Sequence, residues 1–295
     1  MSFRGIFPIM PTPFTEEDEV DEESLATLVR FMKEREMDGL TVLGMMGEEP
    51  KLTEAEKDLV VRTVIEAADG LPVIVGTGAA STRLTIERSR RAAELGAAGL
   101  LVTPPPTQNE TAIFSYYRDL SEAVQLPIIL HDYPDVTNVL MSVSLIARMA
   151  REIPLVRYVK LEEAPTGKKI TALRSIDGHD IDIFCALGGA YCLEELRRGA
   201  IGVMTGFAFP EILKEIYVRH ISGDASGAEE TFYRNVALIR YEFQPGLGLP
   251  LRKEIYRRRG AIRQAHLRSP GPSLDSVHLK ELDSLMRYLE LDGAG

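Results

Sequence analysis

A single (β/α)8 TIM barrel of the α/β class, with additional C-terminal helices, is the fold that the sequence predicts. Short apolar runs recur along the chain, and a stretch with helical spacing follows each one. The eight runs are IFPIMPTPF, GLTVLG, LPVIVGTG, AAGLLVTPP, LPIILHDYP, LVRYVKL, IDIFCALGG and AIGVMTGFAFP. Eight strand–helix units close such a barrel, which takes roughly 250 residues. The chain has 295 residues, which leaves a tail beyond the eighth unit.

The individual elements carry the end signals that this fold requires. The runs are apolar nearly throughout and rich in β-branched residues, as in parallel strands that are covered on both faces. The second helix begins at a capping box formed by Thr53 and Glu56, and it ends at Gly70. The third helix begins with a cap at Ser81 and ends at Gly96.

We divide the chain into a barrel domain, residues 1–220, and a C-terminal helical extension, residues 221–295. No linker rich in Pro, Gly or Ser interrupts the first part. We expect the extension to form three helices that pack on the flank of the barrel, and we interpret its basic run YRRRGAIR as a solvated helix surface or a subunit contact. The three helical segments are GAEETFYRNVALIRYEF, LGLPLRKEIYRRRGAI and LDSVHLKELDSLMRYLEL.

Composition and charge exclude several classes of partner. The formal net charge of −10 gives no support to a nucleic-acid or anionic-membrane partner, since both require a basic face. Neither a secretory signal nor a membrane-spanning apolar stretch is present, so we expect a cytoplasmic protein. In a reducing compartment Cys185 and Cys192 are expected to fill the core rather than form a disulfide. The sequence also lacks metal-ligand spacings and nucleotide-binding glycine motifs, so we expect no metal and no cofactor.

In a barrel of this kind the active site lies at the carboxyl ends of the strands. Lys160 ends the sixth run, and strand alternation places it on one face with Tyr158 and Val156. Among the apolar layers of the barrel interior, desolvation lowers the pKa of the amine and frees a neutral nucleophile for a carbonyl. The alternative is a strand-end lysine that extends its ammonium into solvent.

Two other strand ends carry candidate site residues. Gly44 and Gly47 enclose a short turn whose successive N–H groups suit a carboxylate, although a simple tight turn fits the same pattern. Glu48 is expected to orient this loop through hydrogen bonds. His131 and Tyr133 lie two apart on one face, as proton carriers or as structural groups, while the intervening Asp132 points the other way.

Taken in order, these pieces resemble the dihydrodipicolinate synthase / N-acetylneuraminate lyase family. The resemblance extends over nearly the whole chain through GIFPIMPTPF, GMMGE, VTPPP, HDYP, the lysine strand and GAIGVMTG. It implies a barrel with extra C-terminal helices, a homo-oligomer (dimer or tetramer), and a Schiff base between Lys160 and pyruvate or another 2-keto acid. It also implies that the turn containing Met45, Met46 and Gly47 binds the substrate carboxylate.

Several positions differ from the pattern of the synthases in this family. Met45 and Met46 stand where GTTGE has two threonines, and Pro105 and Pro106 stand where TPYY has two tyrosines. His131 stands where YNVP has the catalytic tyrosine. A threonine–tyrosine–tyrosine proton relay therefore cannot be built from these positions.

A further difference concerns the second substrate of the synthases. Val136 stands where their arginine would bind aspartate semialdehyde. The altered set is more similar to members that dehydrate or cleave 2-keto-3-deoxy sugar acids, with His131 and then Tyr133 as the expected acid–base and Thr205 near the substrate hydroxyls. The alternatives are the synthase itself and a barrel that binds a 2-keto acid without turnover.

Overall fold

The computed structural model describes residues 2–178 and 180–291. Met1, His179 and residues 292–295, which end the predicted extension, lie outside the described residues. Within that described part the chain forms one sheet of eight parallel strands. The strands are β1 (Gly5–Ile6), β2 (Leu40–Val42), β3 (Val73–Gly76), β4 (Gly99–Val102), β5 (Ile128–Asp132), β6 (Val156–Leu161), β7 (Asp182–Cys185) and β8 (Gly202–Val203).

The sheet closes on itself, and the predicted barrel is confirmed. From β2 to β8 each strand pairs with the next one in the chain, and β1 pairs with β8 through Gly5 and Gly202. The remaining gap, between β1 and β2, is bridged just beyond β1. There the Met10 N–H donates to the Thr41 carbonyl at 2.9 Å, and the Thr41 N–H donates to the Pro8 carbonyl at 2.9 Å.

Helices follow the strands, and their predicted start signals are present. The Thr53–Glu56 capping box and the Ser81 cap both form as expected. The barrel helices are α1 (Glu22–Glu34), α2 (Glu54–Ala68), α3 (Thr82–Glu94), α4 (Glu110–Ala123), α5 (Pro134–Thr137), α6 (Val143–Glu152), α7 (Thr166–Arg174), α8 (Cys192–Arg197) and α9 (Pro210–Ile221). The later helices are α10 (Ala225–Glu242), α11 (Gly248–Arg258) and α12 (Ser276–Tyr288). None of these helices has the length and apolar character that crossing a membrane requires.

The core has two layers, as a filled barrel requires. One lies between strands and helices and includes the free thiols of Cys185 and Cys192, as expected. The other fills the barrel interior, and its larger members are Phe3, Phe7, Ile74, Leu101, Ile129, Tyr158 and Phe184.

A β-bulge at the start of β6 corrects one expectation about the interior face. Ile128 pairs with Val156, whereas the next residue, Ile129, pairs with Tyr158, so Arg157 is an extra residue in the ladder. The bulge interrupts the alternation. Val156 consequently packs in the outer layer while Tyr158 lies in the inner one, and the prediction that both share a face is wrong.

The C-terminal helices do more than pack on the flank. Residues of α11 contact the loops at the carboxyl end of the barrel, since the Tyr256 hydroxyl donates to the Phe207 carbonyl at 3.1 Å. The interpretation of the basic run as a solvated surface or subunit contact is wrong for Arg259. Its guanidinium is buried over the rings of Phe31 and Phe209 and pairs with Glu211 at 2.5 Å.

Candidate active site

The side chain of Lys160 lies inside the barrel at the carboxyl end of β6 and is only 5 % exposed. It borders a cavity of about 90 Å³. Six of the seven residues predicted for the site line this cavity: Met45, Met46, His131, Tyr133, Lys160 and Thr205. The seventh, Gly47, is buried behind it in the turn.

Three polar side chains meet at the inner end of the cavity. In the β5–β6 ladder His131 is the direct partner of Lys160. The Lys160 Nζ atom lies 3.0 Å from His131 Nε2 and also contacts the carboxylate of Glu162. His131 Nε2 lies 2.9 Å from Glu162 Oε1, so each of the three groups contacts the other two. A proton that leaves one group therefore has an acceptor within hydrogen-bonding distance.

Burial sets the protonation of this cluster. It lowers the pKa of Lys160 to about 7, and the positive charge of Arg252 acts in the same direction. Burial, and secondarily the charge of Lys160, hold the pKa of His131 well below its usual range. Near neutral pH the imidazole is therefore neutral, and the lowered pKa of Lys160 favours the unprotonated amine, which is able to attack a carbonyl.

Tyr133 lies at the outer edge of the same cluster. Its ring stacks on His131 with the centroids 5.9 Å apart, and Lys160 Nζ lies 5.9 Å from the centre of the Tyr133 ring. Burial, and then the charge of Asp135, raise the pKa of its phenol. The hydroxyl thus keeps its proton at neutral pH, as a general acid must.

Glu162 is a site residue to which the sequence reasoning assigned no role. It lies two positions after Lys160, so the alternation that grouped His131 with Tyr133 also places Glu162 beside the lysine. Its side chain is almost fully buried, and its second oxygen accepts the N–H of Leu187 at 3.4 Å. The spacing of two residues between Lys160 and Glu162 was the sequence signal that could have identified Glu162 as a site residue.

The turn after β2 has the conformation of a single 3-10 turn, Met45–Gly47. The Gly47 N–H donates to the Gly44 carbonyl at 2.8 Å within the turn. The Gly47 carbonyl accepts a hydrogen bond from the hydroxyl of Thr12 at 2.7 Å. The first amides of such a turn have no acceptor inside it, so the N–H groups of Met45 and Met46 are the ones that a bound carboxylate would use.

Glu48 anchors this turn, as expected. Its left-handed backbone (φ 52°) redirects the chain toward the next helix. Its carboxylate accepts from Lys51 at 2.8 Å and from Lys253 of α11 at 2.7 Å. The turn is thereby fixed to the C-terminal extension.

Three further positions from the sequence analysis occupy different surroundings. The Thr205 hydroxyl lines the cavity and accepts the N–H of Gly188 at 2.9 Å, which leaves its own proton available to a substrate. Asp132 points away from the cavity, as expected, and pairs with Lys169 at 2.6 Å. Val136, where the resemblance would place an arginine, is 47 % exposed on α5.

Arg252 of α11 also lines the cavity, and the sequence reasoning missed it. The residue is 8 % exposed and lies about 90 positions after Lys160 in the sequence. The sequence of α11 predicts an amphipathic helix on the flank of the barrel, and no local pattern predicts that it lies over the strand ends. Only the packing of α11 against the strand ends brings this guanidinium to the site.

Comparison with known proteins places this geometry in a family. The sequence profile of the dihydrodipicolinate synthetase family matches residues 2–289. An L-2-keto-3-deoxyarabonate dehydratase from Azospirillum brasilense is 33 % identical over 97 % of this chain and 94 % of its own length. A 4-hydroxy-tetrahydrodipicolinate synthase from Methanothrix thermoacetophila is 32 % identical over 99 % of both chains.

Solved structures agree with this placement. A dihydrodipicolinate synthase from Rhodopseudomonas palustris superposes with a TM-score of 0.92, at 34 % identity over 97 % of each chain. One from Thermotoga maritima gives a TM-score of 0.92 at 28 % identity, over 98 % of this chain and 99 % of its own. The protein is a lyase that belongs to the dihydrodipicolinate synthetase family.

Proposed function

We propose that Lys160 forms a Schiff base with a 2-keto acid and that the enzyme dehydrates a 2-keto-3-deoxy sugar acid. The observation that carries this proposal is the contact of a buried, weakly basic lysine with His131 and Glu162 at a cavity lined by two methionines. The name of the Azospirillum relative, a dehydratase of a 2-keto-3-deoxy acid, supports the same choice.

The first step is addition of the neutral Lys160 amine to C2 of the keto acid. The proton released by nitrogen passes to Glu162 or His131, both of which are in contact with Nζ. The carbonyl oxygen takes up two protons and leaves as water, and an iminium ion remains. Its positive charge at C2 makes the protons on C3 acidic.

The second step removes a C3 proton and expels the 4-hydroxyl. Loss of the proton gives an enamine, whose electrons then displace the hydroxyl as water once an acid has protonated it. His131 is the first candidate for the acid–base, because its neutral imidazole adjoins Nζ, and Tyr133 is the second. Hydrolysis of the resulting unsaturated imine regenerates Lys160.

The remaining pocket residues are assigned to binding. The amides of Met45 and Met46, held in place by Gly47, would bind the C1 carboxylate, and the hydroxyl of Thr205 would bind a substrate hydroxyl. A second cavity of about 80 Å³ shares the Met45 and His131 walls and provides room for a chain longer than pyruvate. As an expectation carried from the family, the working form is a cytoplasmic homo-oligomer, dimer or tetramer.

Aldol cleavage of the same substrates and dihydrodipicolinate synthesis are the competing activities within the family. The many relatives named as synthases favour the latter. Against it, the side chains of Met45, Met46 and His131 provide none of the hydroxyls that the synthase relay uses. A barrel that binds a 2-keto acid without turnover remains the non-enzymatic alternative, and the family membership argues against it.

The test begins with reduction of the protein by borohydride, with and without pyruvate, followed by intact mass and peptide mapping. An adduct on Lys160 is expected. A panel of 2-keto-3-deoxy acids then separates the activities: a dehydrated product supports the proposal, and release of pyruvate indicates an aldolase. Condensation of pyruvate with aspartate semialdehyde would establish the synthase instead. An adduct without any turnover would indicate the binding barrel.

A further inference from the structure

The guanidinium of Arg252 is buried at the cavity that holds the reactive lysine. It borders the same space of about 90 Å³ as Lys160, Glu162 and Tyr133. It comes from α11, outside the eight strand–helix units, and only 8 % of the residue is exposed. A buried cation at a small cavity requires partners that compensate its desolvation.

The partners present among the described residues satisfy this guanidinium poorly. Its Nη1 donates to Met46 Sδ at 3.4 Å, and a thioether is a weak acceptor. Its Nε lies 3.4 Å from Glu242 Oε2. Within the described part of the chain, Nη2 has no hydrogen-bond partner, and Nε has only the ion pair with Glu242. Buried donors without acceptors are unfavourable, so this group is suited to an oxygen ligand that enters the cavity.

Glu242 does not fully neutralise the charge. Its Oε2 already accepts the N–H of Ala208 at 3.0 Å. Burial raises the pKa of the carboxyl to about 7, so near neutral pH a substantial fraction of Glu242 is protonated. The cavity therefore retains positive charge beside Lys160 when the amine is neutral.

Arg259 lies two helical turns after Arg252 and provides a comparison, because its guanidinium has a purely structural environment. Its Nη1 donates to the Ala208 carbonyl at 2.6 Å, and Nη2 donates to Glu211 at 2.5 Å. The planes of Phe31 and Phe209 cover it. Both Nη atoms of Arg259 have oxygen acceptors, and Arg259 does not line the cavity. Arg252 lines it, and among the described residues its Nη1 has a thioether and its Nη2 has no acceptor.

We propose that Arg252 binds a carboxylate of the 2-keto acid through its unpaired N–H groups. A carboxylate matches the fork of N–H donors that a guanidinium presents. This inference rests on the proposed function, because the ligand is the substrate of Lys160. The carboxylate is the one next to the keto carbon, because Arg252 contacts Met46, whose amide is assigned to the same group.

The test measures half-saturating concentrations for borohydride trapping with three carbonyl compounds. Pyruvate carries one carboxylate, 2-oxoglutarate carries a second distal one, and hydroxyacetone carries none. The assay is run at pH 9, where Lys160 is largely deprotonated, so that a change in its pKa does not alter the result. The proteins are the wild type, Arg252→Met, Arg252→Lys and Arg257→Met, which removes an exposed charge from the same helix.

For Arg252→Met we expect the half-saturating concentration of the keto acids to rise about 10- to 100-fold, as for loss of a charge-assisted hydrogen bond. Arg252→Lys should raise this concentration less, and Arg257→Met should have the same value as the wild type. Hydroxyacetone should be trapped equally by all four proteins. Loss with both keto acids would support the inference, and loss with 2-oxoglutarate alone would overturn it, because the guanidinium would then bind only a distal carboxylate.

Two further results would also overturn the inference. Unchanged trapping of both keto acids by Arg252→Met would show that the guanidinium does not bind them, and an equal loss with hydroxyacetone would show that it acts through Lys160. If Arg252→Met fails to fold because Glu242 is left unpaired, the double variant Arg252→Met/Glu242→Gln removes that carboxylate and permits the same measurement. A wild type that forms no adduct would instead contradict the proposed function itself.

Discussion

The two sides of the active-site cavity are built in different ways. On the strand side, His131, Lys160 and Glu162 come from adjacent strands, and the polar atoms of each contact the other two. On the helix side, Arg252 comes from α11, and its hydrogen-bond and ion-pair partners among the described residues are the Met46 thioether and the Glu242 carboxylate, each 3.4 Å away. On the strand side the polar groups satisfy one another's hydrogen bonds. On the helix side Arg252 Nη2 has no hydrogen-bond partner among the described residues.

In the proposed function, the strand side carries the reaction and the helix side binds the substrate. The register of the paired strands β5 and β6 fixes the contact between His131 and Lys160. A group that recognises the substrate gains its partner only on binding. The predictions below test whether the two sides can be altered separately.

The largest effect is expected from Lys160→Ala. Because the amine is the nucleophile of the proposed reaction, turnover should fall by at least about 10³-fold. The barrel should persist, since a strand-end side chain adds little packing to the interior. Steady-state kinetics and thermal unfolding measured by circular dichroism check both statements. Substantial remaining activity in a folded variant would refute the Schiff-base assignment.

A smaller loss is expected from Glu162→Gln, which keeps the shape of the side chain and removes the proton acceptor. The turnover number should fall about 10²- to 10³-fold, as for loss of a general acid–base group. Glu163→Gln is the matched control, because its carboxylate pairs with Lys169 at 2.5 Å outside the cavity. Similar activities in the two variants would exclude Glu162 from the reaction.

The smallest effect concerns the pH dependence of trapping. The pKa of Lys160 is lowered to about 7, so the rate of adduct formation with hydroxyacetone should rise with pH through a midpoint near 7. Arg252 contributes to this lowering, and removing its charge therefore raises the pKa of Lys160. In Arg252→Met the midpoint should move to higher pH by about one unit or less. A midpoint that moves to lower pH would contradict this electrostatic arrangement.

Much of the strand side could be predicted from the chain. The alternation of side chains places His131 with Tyr133 and Lys160 with Glu162 once the strands are located. The same rule failed for Val156, because the bulge at Arg157 is a property of the β5–β6 pairing and not of either strand alone. Glu162 was missed although its spacing from Lys160 was visible.

The helix side could not be predicted in this way. The helical period places Arg252 on one face of α11 with Ile255 and Tyr256, and Arg257 on another, but it does not tell what either face contacts. The basic run around Arg259 looked solvated because charge patterns do not reveal which neighbour covers them. Only long-range packing against the strand ends brings Arg252 to the cavity.

The sequence by itself determined the barrel, its strand order, the helix caps and the position of Lys160 at a strand end. These features depend on periodicity and on neighbours that are close along the chain or adjacent in the ladder. Tertiary structure alone decided the burial that weakens the basicity of Lys160, its contact with Glu162, and the arrival of Arg252 at the cavity. Desolvation and charge pairing depend on distances between segments far apart in the chain, and only the folded barrel fixes those distances.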